Sequence, residues 1–296
     1  MKPAPFDYIA PTDISGVLDA VAVEDAKILA GGQSLVPMLN FRLARPALLV
    51  DITRVHDLRH LRRVDGRLHI GAATTHTDVE HSPLVREHWP LLSDAVRHIG
   101  HSQIRNAGTI GGSLAHADPA AELPAVMLAL DAQMTIATGS GNRTVPARDF
   151  FHGYLQTALA PDELLTEIVL PHLPTGSGAD FSEIARRSGD FALAGVAVQL
   201  QTSTDGICTS AAVALIGAGP VPLRSHAAEQ RLIGSELTSG DIAECVQSAC
   251  LGLNPPADLH GSADYRRRIL AAQMQAGLER AAMLATADRR GHDHAR

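Results

Sequence analysis

The sequence predicts an α+β protein in two successive parts. Three observations carry this. Short apolar runs alternate with helix-like runs through the N-terminal half. Residues 171–178, Pro171-His172-Leu173-Pro174-Thr175-Gly176-Ser177-Gly178, then hold two Pro and two Gly and mark the best boundary in the chain. Beyond it, three long strand-like runs precede three helix-like runs.

The elements follow in order. Residues 6–9 read as a strand, and Pro11-Thr12-Asp13 caps a helix to about residue 23. Residues 27–30 form a second strand, followed at once by Gly31-Gly32-Gln33-Ser34 and a helix over 35–43; residues 47–52 are a third strand. A second unit begins near Asp57: a strand at 67–72, a helix opening at 75–80, and an amphipathic helix at 90–99. After a polar, glycine-rich stretch at 103–113, a helix at 120–130 and strands at 133–137 and 164–170 close it. Residues 180–187, 192–201 and 209–217 read as a three-stranded meander, and 225–233, 239–251 and 263–285 as three helices before a charged, frayed tail. The domains expected are 1–175 (subdomains about 1–56 and 57–175), 179–286, and a tail at 287–296.

Composition narrows the function. The chain has 296 residues, enough for about two domains, and its net charge of −7 comes with no basic block to suggest nucleic acid. Cys208, Cys245 and Cys250 are too few to ligate a usual iron–sulfur cluster and contain no C-x-x-C, so they read as reduced, mostly buried thiols. Lysine occurs only at positions 2 and 27, neither in a G-x-x-x-x-G-K context, which excludes a Walker-A triphosphatase. Neither a signal-peptide pattern at the start nor an apolar run of ~20 residues is found, so a soluble, cytoplasmic protein without a membrane span is expected.

Fifteen histidines invite a metal reading, but His56 and His60 lack a third ligand at helical spacing, and His292-Asp293-His294 reads as solvated. No metal site is expected, and the absence of G-x-S-x-G leaves no hydrolase elbow. The two Gly-Gly turns say more. Ala30-Gly31-Gly32-Gln33-Ser34-Leu35 follows a buried strand and opens a helix; adjacent glycines let successive N–H groups point at one anion, and Ser34 adds a hydroxyl. A plain tight turn is the competing reading. About eighty residues on, Thr109-Ile110-Gly111-Gly112-Ser113 repeats the device, and two such nests suit a pyrophosphate. The dinucleotide fingerprint G-x-G-x-x-G is absent, so a dinucleotide would bind on another fold.

These segments carry a resemblance. Residues 27–42 (KILAGGQSLVPMLNFR) and 103–125 (QIRNAGTIGGSLAHADPAAELPA) are similar to the FAD-binding medium subunit of the molybdenum hydroxylases, the group of carbon monoxide, nicotine and xanthine dehydrogenases. Residues 162–171, 185–198 and 263–270 fit as well, so the resemblance spans nearly the whole chain. It implies a two-subdomain FAD-binding fold of the vanillyl-alcohol-oxidase (PCMH) type, with FAD between the N-terminal subdomains. A C-terminal three-stranded antiparallel sheet with a three-helix bundle would follow. By the same resemblance, residues 29–35 and 109–113 would wrap the pyrophosphate, with Ile104 and Arg105 in the signature before the second glycine pair. Glu122 would face the flavin's sugar-like chain and Leu165 would pack near the isoalloxazine ring.

The chain also departs from the family. Phe191 stands where the carbon monoxide enzymes have tyrosine, and Ser182 and Glu183 stand where a lysine is common. The cysteine-bearing insertion of the benzoyl-CoA reductase branch is missing. The resemblance implies an oxidoreductase subunit without catalytic residues of its own. A large molybdenum-pterin subunit and a small subunit with two [2Fe–2S] clusters would be its partners, in a dimer of heterotrimers. A stand-alone FAD oxidoreductase on the same scaffold is the runner-up, and a non-catalytic assembly or nucleotide-binding module that has lost flavin is the third reading. With ten aromatic residues in all, backbone nests and aliphatic contacts are expected to hold the flavin.

Overall fold

The computed structural model describes residues 2–293, with side chains through residue 287. The chain divides into two compact units. One comprises the N-terminal segment to His81, His101–Ala117 and Asp131–Pro171; the other comprises Ser82–Gly100, Asp118–Leu130 and the chain from His172 on.

The first unit holds two main sheets. In the smaller, parallel one, Leu48–Asp51 lies between Asp7–Ile9 and Ala26–Leu29. Parallel pairing requires a crossover, and the helix Ile14–Val21 supplies one. The Asp13 carboxylate accepts from the Gly16 amide at 2.9 Å and starts that helix. Its Val17, Ala20 and Val21 are buried in one cluster with Val50, Ile52, Val55, Leu58 and Leu164. The larger sheet is antiparallel, ordered Leu61–Val64, Arg67–Gly71, Leu164–Leu170, Gln133–Thr138, Gly141–Pro146. The two outer strands, polar and Arg-bearing, escape the sequence pattern because edge strands need no apolar alternation.

A register shift between Leu165 and Glu167 leaves Thr166 as the extra residue of a bulge. Its backbone oxygen turns to the Ala72 amide at 2.9 Å, and its hydroxyl donates to the Thr135 carbonyl at 3.0 Å. Beside the bulge, one Glu167 oxygen lies 2.9 Å from His60 Nε2 and the other 3.1 Å from His69 Nδ1. His60, grouped with His56 by sequence spacing, thus shares the Glu167 carboxylate with His69.

The second unit is a meander of Ser177–Ala185, Ala192–Thr202 and Cys208–Ile216, to which the two-residue strand Leu223–Arg224 adds a fourth member. Helices His226–Leu232, Ser239–Cys250 and Ala263–Asp293 pack with it around Val196, Val198, Val213, Leu215, Leu270, Met274 and Leu278. Arg280 grips Asp180 with two bonds of 2.6 and 2.8 Å, tying the long helix to the sheet. That helix runs past residue 285, where the sequence pattern ends it. The tail expected at 287–296 lies outside the described residues from 294 on, His294 included.

Two helices that precede residue 171 in sequence, Pro90–Val96 and Glu122–Ala129, also pack on this meander. Glu122–Ala129 is buried at all eight positions. Its run ELPAVMLA has no polar stripe, and a helix apolar on every side must be enclosed. Among the described residues no helix is long and apolar enough to cross a membrane. Cys208 and Cys245 are buried free thiols.

Candidate functional site

The strand Ala26–Leu29 delivers the chain into the first glycine turn, and the six-residue helix Leu35–Asn40 leaves it. Gly32 adopts φ +70°, where a side chain is strained. Among the described residues the amides of Gly32, Gln33 and Ser34 meet no acceptor and the Ser34 hydroxyl has no partner. The Gly32 carbonyl accepts from Val36 at 2.9 Å and the Gly31 carbonyl from Gln33 Nε2 at the same distance. The Gly31 and Gly32 carbonyls are therefore occupied by local donors while a run of amides stays open, which suits an anion.

The second turn is built differently. Thr109 caps the helix Ile110–His116, its hydroxyl accepting from the Gly112 amide at 3.0 Å. Ser113 N–H bonds the Thr109 carbonyl, Ile110 N–H the Thr74 carbonyl and Gly111 N–H the Ala72 carbonyl, at 3.0, 3.0 and 2.9 Å. All four amides are thus consumed within the protein. A Cβ on Gly111 would lie 2.5 Å from Ala72 Cβ, so this glycine serves a backbone contact. The Ser113 hydroxyl, half-buried, remains without a partner among the described residues. The two turns look alike in sequence and differ in what they leave free.

They also meet. A Cβ on Gly31 would lie 2.1 Å from the Ala107 carbonyl oxygen, and one on Gly112 would lie 3.4 Å from Ala30 Cβ. The structure therefore brings Ala30 and Gly31 against Ala107, Gly108 and Gly112. Ile104, half-buried, accepts the Gly108 amide at 2.7 Å and closes the helix Ser102–Ala107. Arg105 faces Glu80, with Nε–Oε2 at 2.7 Å and Nη2–Oε1 at 3.2 Å. Leu165, 4 % exposed, sits opposite Ile136 beside the Thr166 bulge, whose bond to Ala72 runs on through Ala72 to Gly111.

Glu122 belongs to the second unit, as the first residue of Glu122–Ala129. Burial and the nearby Glu183 carboxylate push it up to about 8. Phe191, 59 % exposed, stands on the turn between Ser177–Ala185 and Ala192–Thr202.

His76 is a residue that sequence reasoning passes over. It is 4 % exposed, its amide donates to the Gly108 carbonyl at 2.9 Å, and a Cβ on Gly108 would lie 3.0 Å from its ring. Neither ring nitrogen is in hydrogen-bond geometry with a partner among the described residues. Burial pushes the imidazole down to about 4, against an opposing Thr109 backbone contact and with the Arg105 charge adding to the fall. Its only sequence signal is its place after Thr75, whose hydroxyl and Asp78 form a reciprocal cap.

Comparison with known proteins finds related chains. Residues 4–173 match the model of the FAD binding domain in molybdopterin dehydrogenase, and residues 179–281 that of the CO dehydrogenase flavoprotein C-terminal domain. The chain is 44% identical to the 6-hydroxypseudooxynicotine dehydrogenase complex subunit alpha of Paenarthrobacter nicotinovorans, over 99% of this chain and all of that one. It is 37% identical to the carbon monoxide dehydrogenase medium chain of Hydrogenophaga pseudoflava, over 90% and 93% of the two chains. Quinoline 2-oxidoreductase from Pseudomonas putida 86 superposes with a TM-score of 0.91 at 38% identity, covering 96% of this chain and 99% of that one.

Proposed function

The chain belongs to the family of FAD-binding medium subunits of the molybdenum hydroxylases, and from that premise we propose that it is the electron-output subunit of such a complex. The reading rests on the open amides of Gly32, Gln33 and Ser34 at a turn seated against the second glycine turn. Residues 29–35 would bind the pyrophosphate by backbone N–H groups and the Ser34 hydroxyl. Residues 109–113 would contribute the Ser113 hydroxyl and a close backbone wall, Ile104 would support that wall, and Leu165 would give the flavin ring an aliphatic contact. Glu122 joins them on the family pattern alone. FAD, when bound, supplies a group able to take electrons singly and release them in pairs. This chain's residues orient it and shield it, and none is assigned a catalytic role.

The partners in this reading are a large molybdenum-pterin subunit, which hydroxylates substrate with water, and a small subunit whose two [2Fe–2S] clusters pass electrons here. A dimer of such heterotrimers in the cytoplasm, reducing a quinone, oxygen, NAD⁺ or another carrier, completes it. The domains proposed are 1–175, with subdomains about 1–56 and 57–175, followed by 179–286 and the tail. The relatives above are named for 6-hydroxypseudooxynicotine, carbon monoxide and quinoline. So varied a set of substrates on one kind of flavin chain supports placing substrate choice in another subunit.

The test is the visible spectrum of the purified full-length chain, with chromatography of the nucleotide extracted from it. A flavin spectrum and FAD in near-equimolar amount are expected. A folded preparation that takes up no FAD would sink the proposal.

A further inference from the structure

We propose that His60 is a positioning residue for the second glycine turn. Its backbone carbonyl holds residues 71–74, which carry that turn, and its ring fastens this hold to the strand Leu164–Leu170 only while both ring nitrogens are protonated. The link to flavin rests on the reading that residues 109–113 line the cofactor. The clamp itself lies wholly within the first unit.

The Ala72 carbonyl accepts the Gly111 amide at 2.9 Å, and the Thr74 carbonyl accepts the Ile110 amide at 3.0 Å. Residues 71–74 are in turn gripped from two sides. On one, the His60 carbonyl accepts from the Gly71 amide at 2.8 Å and from the Thr74 hydroxyl at 2.9 Å. A Cβ on Gly71 would lie 2.9 Å from the His60 nitrogen, so the two backbones touch. On the other side, the Thr166 carbonyl accepts the Ala72 amide at 2.9 Å. Glu167 follows Thr166, and its Oε1 lies 2.9 Å from His60 Nε2. One contact between half-buried side chains thus joins the two grips.

The His60 ring faces an acceptor at each end: Nδ1 lies 3.1 Å from the Asp57 carbonyl oxygen, and Nε2 meets the Glu167 carboxylate. A neutral imidazole has a single N–H, so it serves one acceptor and turns a lone pair on the other. The imidazolium serves both. The clamp therefore closes fully on the charged ring and loses one end when the proton leaves.

The groups around Glu167 keep it an acceptor. His69 Nδ1 lies 3.1 Å from its Oε2, and Arg62, an exposed residue, lies 3.5 Å from its Oε1. Against burial, which alone would raise it, the hydrogen bonds of His69 and His60 hold the Glu167 carboxyl below its ordinary value. Arg59 is turned to Asp78 at 3.0 Å, and His56, Asp57, Arg63 and Arg67 are exposed residues. On the other flank of Leu164–Leu170, Gln133–Thr138 carries no ionisable group, and the helix Ile110–His116 carries only His116.

The test uses the flavin-free chain. In His60→Phe, hydrogen exchange at Ile110 and Gly111 should run about tenfold faster than in wild type. FAD, titrated by fluorescence, should bind that variant more weakly at every pH. In wild type, NMR of the labelled ring follows His60 between about pH 5.5 and 9. Affinity for FAD should fall as pH rises, with the midpoint at which His60 gives up its proton. Glu167→Gln should hold its affinity across the range, because a glutamine amide can donate to Nε2 of a neutral ring while Nδ1–H serves Asp57. A merely structural role would weaken that variant at every pH and leave its profile shaped like that of wild type. Unchanged exchange at Ile110 and Gly111 in His60→Phe overturns the clamp whether or not FAD binds. Faster exchange with wild-type affinity for FAD shows instead that residues 109–113 do not line the cofactor. Should His60→Phe fail to fold, Glu167→Gln decides alone, and a pH profile matching wild type overturns the proposal.

Discussion

Gly31 stands so close to Ala107 that a side chain of a single carbon at position 31 would lie 2.1 Å from the Ala107 carbonyl oxygen. The obstacle is backbone and cannot rotate away. Gly31→Ala must therefore part the two glycine turns, at an overpacking cost of about 1–3 kcal/mol. A lowered melting temperature and a reduced flavin-to-protein ratio are expected. Gly139→Ala is the control, because nothing lies within 4 Å of its Cβ position. It should stay within about 0.5 kcal/mol of wild type.

Gly32 and Gly111 separate binding from folding. At Gly32, with φ +70°, a Cβ would meet only the side-chain atoms Val36 Cγ2 and Leu29 Cδ1, at 3.1 and 3.3 Å. The left-handed backbone costs alanine about 1–2 kcal/mol and tilts the open amides that follow. At Gly111 the Cβ would strike Ala72 itself, whose carbonyl accepts the Gly111 amide. Melting the flavin-free variants and titrating each with FAD tells them apart. Gly111→Ala should lose the more stability, and Gly32→Ala should lose FAD affinity out of proportion to its stability. Equal losses in both assays for both variants would show that the turns do not divide these tasks.

The same contrast shows what sequence could reveal. The turn at 29–35 was legible because its donors follow from local conformation: a strand, two glycines and a short helix suffice. The turn at 109–113 carries the same letters, but its amides are claimed by Ala72, Thr74 and Thr109, and the first two lie far away in sequence. His76 was illegible for the same reason, since its burial is set by the turn at 108–109. The C-terminal meander and its helices could be read from periodicity. That Glu122–Ala129 packs on that meander could not, although its unbroken apolar run signalled enclosure on every side.

Arg105 and Glu80 join the helices Ser102–Ala107 and His76–Glu80 by a two-point ion pair, with side chains only 14% and 18% exposed. Removing one partner leaves the other charge largely buried, at a cost of about 3 kcal/mol. Glu80→Ala should lower the melting temperature and loosen the second turn, read as faster amide hydrogen exchange at Gly108 and Ile110. The double variant Glu80→Ala, Arg105→Met should recover much of the stability, because it buries no orphan charge. No recovery would mean that the pair acts through something other than its charges.

His76 sets an acid limit on the fold of the first unit. Its ordinary value of 6.5 applies to the unfolded chain, whereas burial holds the folded imidazole at about 4. Between those values the unfolded chain binds the proton and the folded chain does not, so stability falls as pH falls. The contribution is complete above pH 6.5, declines through the interval, and is exhausted once pH passes below about 4. A depression of this size corresponds to about 3 kcal/mol. Because the ring lies against Gly108, the second glycine turn should feel the loss, and FAD release should accompany it. Urea unfolding of wild type and His76→Leu at a series of pH values is the measurement. Leucine cannot take up a proton, so the variant should lack this part of the acid-side decline. Parallel curves for the two proteins below pH 6.5 would place the acid sensitivity elsewhere.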